Sequence, residues 1–389
     1  MSREAVIVSA VRTPVAKYGG TLSGLRDYEL AGLVIHEAIS RIGLDPELID
    51  DVYFGNAEGM PGDLARIGVL QADLPIKVPG ATVDRQCASG LEAIKIAAAM
   101  VRSGLGDVYI AGGAESQSTN PWFMEKSARP YSYQPPEFTY VRMSPPKTGD
   151  PAMGETAENV LDRYPQITRE DMDRFALESH RRALEAIKKG VFAEQIVPVP
   201  VKVKRKEVVF SQDECPREET NMEQLASLKP IFRKGGQVTA GNSCPMNDGA
   251  AAVVVMSREK AEELKLPYLL IVKDFATVGL EPEVMGLGPI YAVQKLLERN
   301  KLTLDDIEMI ELNEAFASQS LACIRDLGLD MGRVNPNGGA IALGHPLGAT
   351  GTLLTVKLAH AMKGSERKYG IVTMCVGGGQ GAAALFERP

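Results

Sequence analysis

No stretch of this 389-residue chain approaches the ~20 consecutive apolar residues needed to span a bilayer. The longest apolar run, Ala250-Ala251-Ala252-Val253-Val254-Val255-Met256, has the length of a strand. A basic face is also missing. Lys and Arg number 43 against 50 Asp and Glu, a net charge of −7. That balance excludes a broad surface for nucleic acid or an anionic membrane and leaves local basic clusters for an anionic substrate. The five cysteines are an odd number and contain no C-x-x-C, so neither a disulfide framework nor a zinc knuckle is expected, and no metal site. Residues Met1–Val8 run straight into a strand pattern, so no signal peptide is expected and the cytoplasm is the expected location. There is no Gly-x4-Gly-Lys-Ser/Thr and no Gly-x-Gly-x-x-Gly after an early strand, so nucleotide phosphates are not held by either familiar loop.

What is present is a globular composition, 44% apolar and 24% charged. The length predicts two or three domains. Strand patterns at Val6–Ala10, Val52–Phe54 and Asp107–Gly113 alternate with helix patterns at Asp27–Ile42 and Leu91–Val101, the texture of α/β layers. Residues 117–242 differ: half of the 24 prolines fall there, and the segment reads as an insertion over the core. One helix inside it is clear, capped by Thr168 with Asp171 three residues on and ended by Gly190. An internal repeat organises the rest. The helix, Gly43–Pro46 turn and Ile49–Gly55 strand resemble the helix after Pro289, the Asn300–Thr303 turn and Ile307–Asn313. Carried forward at the same offset, Cys87 of the first copy falls on His345 of the second. If the two halves pack about a pseudo-twofold axis, these two loop-to-helix junctions can face one another.

Cys87 lies in Val83-Asp84-Arg85-Gln86-Cys87-Ala88-Ser89-Gly90, just before a predicted helix. Helix N-termini favour a thiolate, so a nucleophile is one reading and a small buried core residue the other. His345 sits in a block, Asn335–Gly351, in which seven of 17 residues are Gly or Pro; backbone shaped around a ligand or a flexible loop would both use such residues. A helix is predicted next, at Thr352–Met362. The predicted strand Ile371–Met374 opens into Cys375-Val376-Gly377-Gly378-Gly379-Gln380-Gly381. That arrangement can expose a thiol together with free N–H groups suited to an oxyanion. Asn313, after the strand Met309–Leu312, can hold a water or an oxyanion, or cap a helix. Two thiols, an imidazole and an amide suit a two-part chemistry. A thiolate takes an acyl group from a thioester, and a second group removes a proton alpha to another thioester.

With Arg12-Thr13-Pro14, Cys87-Ala88-Ser89-Gly90, Asn313-Glu314-Ala315-Phe316, Gly344-His345-Pro346 and Cys375–Gly381 in this order, the sequence resembles the thiolase family over essentially its whole length. The resemblance implies an α/β thiolase fold: two pseudo-symmetric α/β halves in a five-layered αβαβα core plus an inserted loop domain. The boundaries read as 1–116 with 243–266 for the first half, 117–242 for the insertion and 267–389 for the second half. It implies Cys87 as the acylated nucleophile, His345 as its activator and an oxyanion donor, and Cys375 as the acid/base. Asn313 would hold a water for one oxyanion site, and the N–H groups of Cys87 and Gly377 would form the other. By the same likeness Arg217 would meet the nucleotide end of coenzyme A, and Met153, Phe232, Ala315 and Phe316 would line the pantetheine tunnel. Acyl-CoA and CoA would be substrates, with no permanently bound cofactor, and a homodimer or homotetramer is implied.

Two departures from the family pattern matter. Cys244 stands where a Ser contacts pantetheine, a weaker hydrogen-bond partner. Ala152 stands where short-chain enzymes carry His, which leans toward a 3-ketoacyl-CoA thiolase of fatty acid β-oxidation over an acetoacetyl-CoA thiolase. A condensing enzyme that uses acyl-carrier protein is disfavoured by the second thiol. A non-catalytic acyl-CoA-binding protein is the remaining alternative.

Overall fold

The computed structural model describes residues 3–59, 62–127, 129, 131, 135–203, 206–365 and 368–389. Nine strands carry the core: β1 (Ala5–Arg12), β2 (Asp51–Gly55), β3 (Ala81–Val83), β4 (Val108–Ser116), β5 (Asn247–Ser257), β6 (Leu270–Gly279), β7 (Ile307–Leu312), β8 (Tyr369–Val376) and β9 (Gln380–Glu387). They lie in the order β7-β8-β9-β6-β1-β5-β4-β2-β3, with the short strand Ala16–Lys17 added against β5. On one side β2 runs parallel to β4, β4 antiparallel to β5, and β5 antiparallel to β1. The other side repeats the pattern: β7 parallel to β8, β8 antiparallel to β9, β9 antiparallel to β6. A short antiparallel contact, Ala5 to Val272 through Ile7 to Leu270, joins the two.

Helices separate the sheet halves into layers. α1 (Asp27–Ser40) covers the outer face of the first half, and Leu30, Val34, Ile35 and Ala38 pack there with Val6, Ile110 and Val254. α2 (Leu64–Gln71) lies beside it. Two helices fill the middle, α3 (Ser89–Ser103) and, after the inserted and second-half helices, α8 (Leu347–Ala361). Between β4 and β5 lie α4 (Met153–Arg163) and α5 (Arg169–Lys188), and α6 (Gly288–Asn300) and α7 (Ala317–Leu327) cover the far face. The result is αβαβα. Because strand side chains alternate, Val253 and Val255 of β5 face the middle helices while Ala252 and Val254 face α1. Burial on both faces explains why β1 and β5 read as continuous apolar runs.

The segment between β4 and β5 has no large core to itself. Ala157, Val160, Met172 and Phe175 from α4 and α5 join the outer cluster of the second half, while Val199 and Val201 join that of the first. α5 starts as its sequence suggests, with Asp171 N–H donating to Thr168 Oγ1 at 3.1 Å and Thr168 N–H to Asp171 Oδ2 at 3.0 Å. Other boundaries move. β4 continues to Ser116 through glycines that predict its end, because each pairs in register with β5. α8 starts five residues earlier than predicted, directly after Pro346, which is its extended N-cap.

Candidate active site

The two middle helices cross where their first turns are narrowest. Gly90, Gly348 and Gly351 leave no room for a Cβ, and Thr352 Oγ1 donates to Gly90 O at 3.1 Å. The junctions that precede these helices are therefore neighbours, one carrying Cys87 and the other His345.

Cys87 is held on a tight turn. Gln86 takes a left-handed conformation at φ 47°, Arg85 N–H donates to Ser89 Oγ at 2.9 Å, and Ser89 Oγ donates to Gln86 O at 2.6 Å. Arg85 reaches across to Gln380 Oε1 at 2.9 Å, tying this turn to the other half. The thiolate expected from the helix dipole is not borne out. Burial pushes the Cys87 thiol up to about 11, against the N–H of Gly377 and its own N–H, while the charges of Glu58 and Glu115 push it the same way as burial. Desolvation of the anion outweighs a partial charge at a helix end. At rest Cys87 is a neutral thiol, and it would need a base to act as a nucleophile.

His345 sits on a backbone that only glycine could precede: Gly344 has φ 102° and packs against the Asn247 amide. Asn247 Oδ1 accepts from His345 N–H at 2.7 Å. The ring is oriented at both nitrogens. Thr350 Oγ1 donates to Pro346 O at 2.8 Å, so its hydrogen is committed. His345 Nδ1, 2.6 Å from Thr350 Oγ1, must then carry the proton and donate. Nε2 is left with its lone pair, 3.3 Å from Asn313 Nδ2. Burial drops the imidazole to about 4, so it is neutral at physiological pH and able to accept a proton.

Asn313 follows β7, and its N–H donates to Thr373 O at 2.9 Å, which seats it beside the end of β8. It caps no helix, since α7 begins at Ala317 after Phe316. Cys375 lies within β8, which runs one residue beyond it. Its thiol is fully buried, not exposed at a strand end, and burial followed by the neighbouring thiols Cys87, Cys323 and Cys244 holds it well above the usual range. Gly377 directs its N–H at the Cys87 sulfur, and a Cβ there would strike Met143 Sδ. Cys87, Cys375 and Gly377 are thus neighbours drawn from both halves, and Asn313 and His345 form a buried pair that Asn313 N–H ties to Thr373 of the same strand as Cys375.

Of the residues linked to coenzyme A, five stand together. The Phe232 and Phe316 rings meet edge to face with centroids 6.0 Å apart. Phe232 packs on Gly154, next to Met153. Cys244 N–H donates to Ala315 O at 3.0 Å, and its thiol is a neighbour of Cys87, pushed up to about 12 by burial. Met153 also lines a cavity of about 340 Å³ with Tyr140, Val141, Met143 and Ala152. Arg217 is exposed in a different surface cavity with Thr220, Gln224 and Leu228, and its N–H donates to His180 Nδ1 at 3.2 Å.

Sequence reasoning missed Asn247, Thr350 and Met143. Thr350 had a usable signal, one helical turn past His345. Asn247 and Met143 are remote in sequence and had none. Glu115 was also missed: this buried carboxylate accepts from Ala57 N–H and from Gly348 N–H in the first turn of α8, both at 3.0 Å. Its burial pushes its pKa up to about 8.

The protonation state of Cys87 gives a direct test. Alkylation of its peptide by iodoacetamide, quantified by mass spectrometry, is expected to accelerate about tenfold per pH unit from pH 6 to 9, because the reactive thiolate is still the minor form. A plateau across that range would mean the thiol is already ionised.

The sequence model for the thiolase N-terminal domain matches residues 5–259, and that for the thiolase C-terminal domain matches residues 266–388. The chain is 46% identical to a 3-ketoacyl-CoA thiolase of Bacillus subtilis, with 99% of each chain covered. It is 45% identical to a beta-ketoadipyl-CoA thiolase of Escherichia coli, covering 99% of this chain and 100% of that one. Among solved structures, an acetyl-CoA acetyltransferase of Bacillus anthracis superposes with a TM-score of 0.95 at 42% identity, over 100% of this chain and 99% of the other.

Proposed function

The chain belongs to the thiolase family of acyltransferases, and from that premise we propose that it moves acyl groups between CoA thioesters through an acyl-Cys87 intermediate. The observation that carries this reading is the meeting of two thiols from opposite halves, Cys87 and Cys375, beside the Asn313–His345 pair.

In the cleavage direction His345 Nε2 takes the Cys87 proton and the sulfur attacks the 3-keto carbon. The C2–C3 bond breaks, acyl-Cys87 forms, and Cys375 gives its proton to the departing acetyl-CoA enolate. The thiol of CoA, deprotonated by Cys375, then attacks acyl-Cys87; the acyl–sulfur bond to Cys87 breaks, the departing thiolate takes its proton back from His345, and the shortened acyl-CoA is released. Negative oxygen develops in both steps. The Cys87 and Gly377 N–H groups serve the acyl carbonyl, and His345 with a water held by Asn313 serves the thioester enolate. A thiol kept neutral by burial, as Cys375 is, is in the right state to protonate an enolate.

The substrate read here is a 3-ketoacyl-CoA longer than acetoacetyl-CoA. Ala152 in place of a bulkier ring, and the cavity it shares with Met143 beside Gly377, support room for a longer acyl group. Arg217 at the surface is assigned to the nucleotide end, and Phe232, Phe316, Ala315, Met153 and Cys244 to the pantetheine arm. Acetoacetyl-CoA is the second reading, favoured by the name of the Bacillus anthracis structure.

Incubation with acetyl-CoA followed by mass spectrometry should find an acetyl adduct on Cys87. CoA-dependent cleavage should show a higher kcat/KM for a six- to eight-carbon 3-ketoacyl-CoA than for acetoacetyl-CoA. The reverse preference supports the second reading. Folded protein without adduct or cleavage ends the proposal.

A further inference from the structure

Glu314 follows Asn313 directly, is 2% exposed and has no part in the chemistry described. Its carboxylate is enclosed by three donors from two segments. Ser179 of α5 donates its hydroxyl to Oε2 at 2.6 Å, and Ile341 N–H approaches the same oxygen at 3.3 Å. Asn335 Nδ2 donates to Oε1 at 2.8 Å. The chain from Asn335 to Leu343 is thus wrapped around one side chain, and it leads straight into Gly344 and His345.

The enclosure is specific to this geometry. A Cβ at Gly339 would overlap the Glu314 carboxyl group, and Gly339 N–H donates to Ser179 Oγ at 3.1 Å. Asn335 in turn clamps the strand that ends at Leu312, just before Asn313. Leu312 N–H donates to Asn335 Oδ1 at 2.9 Å, and Asn335 Nδ2 donates to Leu312 O at 2.8 Å. From the other side, Lys357 of α8 donates to Gly338 O at 2.6 Å and to Glu311 Oε2 at 2.7 Å. Residues 335–343 are therefore tied at one end to the backbone before Asn313 and in the middle to the side chain after it.

We propose that Glu314 is a positioning residue that sets the separation of Asn313 Nδ2 and His345 Nε2 by anchoring the 335–343 loop to the segment carrying Asn313. Through Ser179 it also couples this pair to α5 and so to the inserted segment. The proposal rests on the reading of Asn313 and His345 as an oxyanion pair, and it extends that reading to a residue that touches no substrate. A loop shift of ~1 Å is enough to cost about 100-fold in rate when it displaces an oxyanion donor.

The physical basis is acceptor geometry. A carboxylate offers two acceptor oxygens, and here both are engaged by fixed donors. Glu314→Gln keeps the shape but turns one of them into an NH2 donor, which must face either Asn335 Nδ2 or the Ser179 and Ile341 donors. One side of the enclosure then opens. Ser179→Ala removes a single donor and keeps the carboxylate, a milder version of the same change.

A double-mutant cycle on the full-length enzyme separates positioning from general damage. Glu314→Gln is expected to lower kcat for 3-ketoacyl-CoA cleavage by about 10- to 100-fold with KM within about twofold. In an Asn313→Ala background the same change should cost less than about twofold, because the group it positions is gone. Ser179→Ala should lower kcat several-fold and be absorbed by Asn313→Ala in the same way; should the Gln variant not fold, this second cycle decides. Wild-type kcat in both Glu314→Gln and Ser179→Ala, or losses that multiply undiminished with Asn313→Ala, overturn the proposal. An inactive wild-type protein would count against the thiolase chemistry itself, which the acetyl adduct on Cys87 tests separately.

Discussion

His345→Ala is expected to slow acetylation of Cys87 by roughly 10²–10⁴-fold at neutral pH, the size of a lost general base. The resting states of the two groups set this size. Burial pushes the Cys87 thiol up to about 11, so thiolate is scarce without a base. Burial drops His345 to about 4, so its Nε2 lone pair is available at any physiological pH. The sign of the pH dependence follows. In the variant, Cys87 must ionise unaided, and acetylation should rise about tenfold per pH unit between pH 7 and 10. The wild type should show a much shallower rise over that range. Rapid-quench mass spectrometry of the acetyl adduct reads both slopes. A deficit that stays constant with pH would assign His345 a structural role and remove it as the base.

Cys375→Ser should separate the two half-reactions. Cys87 acetylation is expected to stay close to the wild-type rate, while condensation and cleavage fall by about 10²–10⁴-fold, the range for removing a matched acid/base. A hydroxyl fits the space but holds its proton far more tightly than a thiol does. Cys375 is fully buried, so a serine there gains no water to relay the proton. Exchange of the acetyl-CoA methyl protons with deuterium, followed by NMR, isolates the step and should disappear with condensation. If acetylation and condensation fail together, the division of labour between the two sulfurs is wrong. The three-way proximity of Cys375, Cys87 and Cys244 gives that outcome a physical route, because a change at one thiol can disturb the others.

The elements legible in the chain are those whose signal is local. α5 announces itself by its capping box and its apolar face, and α3 ends at Gly104, which takes the left-handed conformation its composition suggests. The repeat is legible because each copy reuses the same helix, turn and strand, and α1 to β2 and α6 to β7 occupy matching places in the two sheet halves. The full length of β4 is not legible, because glycines weaken strand propensity, whereas pairing along its whole length with β5 sustains them. The first turn of α8 is hidden because Gly348 and Gly351 disfavour a helix locally; they are tolerated because α3 passes too close to Gly351, and Gly55 and Asn56 at the end of β2 too close to Gly348, for side chains.

At the site the division is similar. Spacing alone puts Cys87 and His345 at equivalent junctions and Asn313 just after a strand, whereas Cys375, expected after a strand, lies within β8. Local reasoning also favours a thiolate at Cys87, and there it fails, because the burial that decides the matter exists only once the chain is packed. The proton on His345 Nδ1 is assigned by Thr350, the placement of its backbone by Asn247, and the loop behind it by Glu314. The order of residues along the chain therefore determined which chemical groups are present, which family they belong to and where most elements begin. Tertiary structure decided which of those groups are dry, which proton each carries and how far apart they stand. Propensity and periodicity are properties of neighbours in sequence, whereas dielectric and hydrogen-bond geometry are properties of neighbours in space.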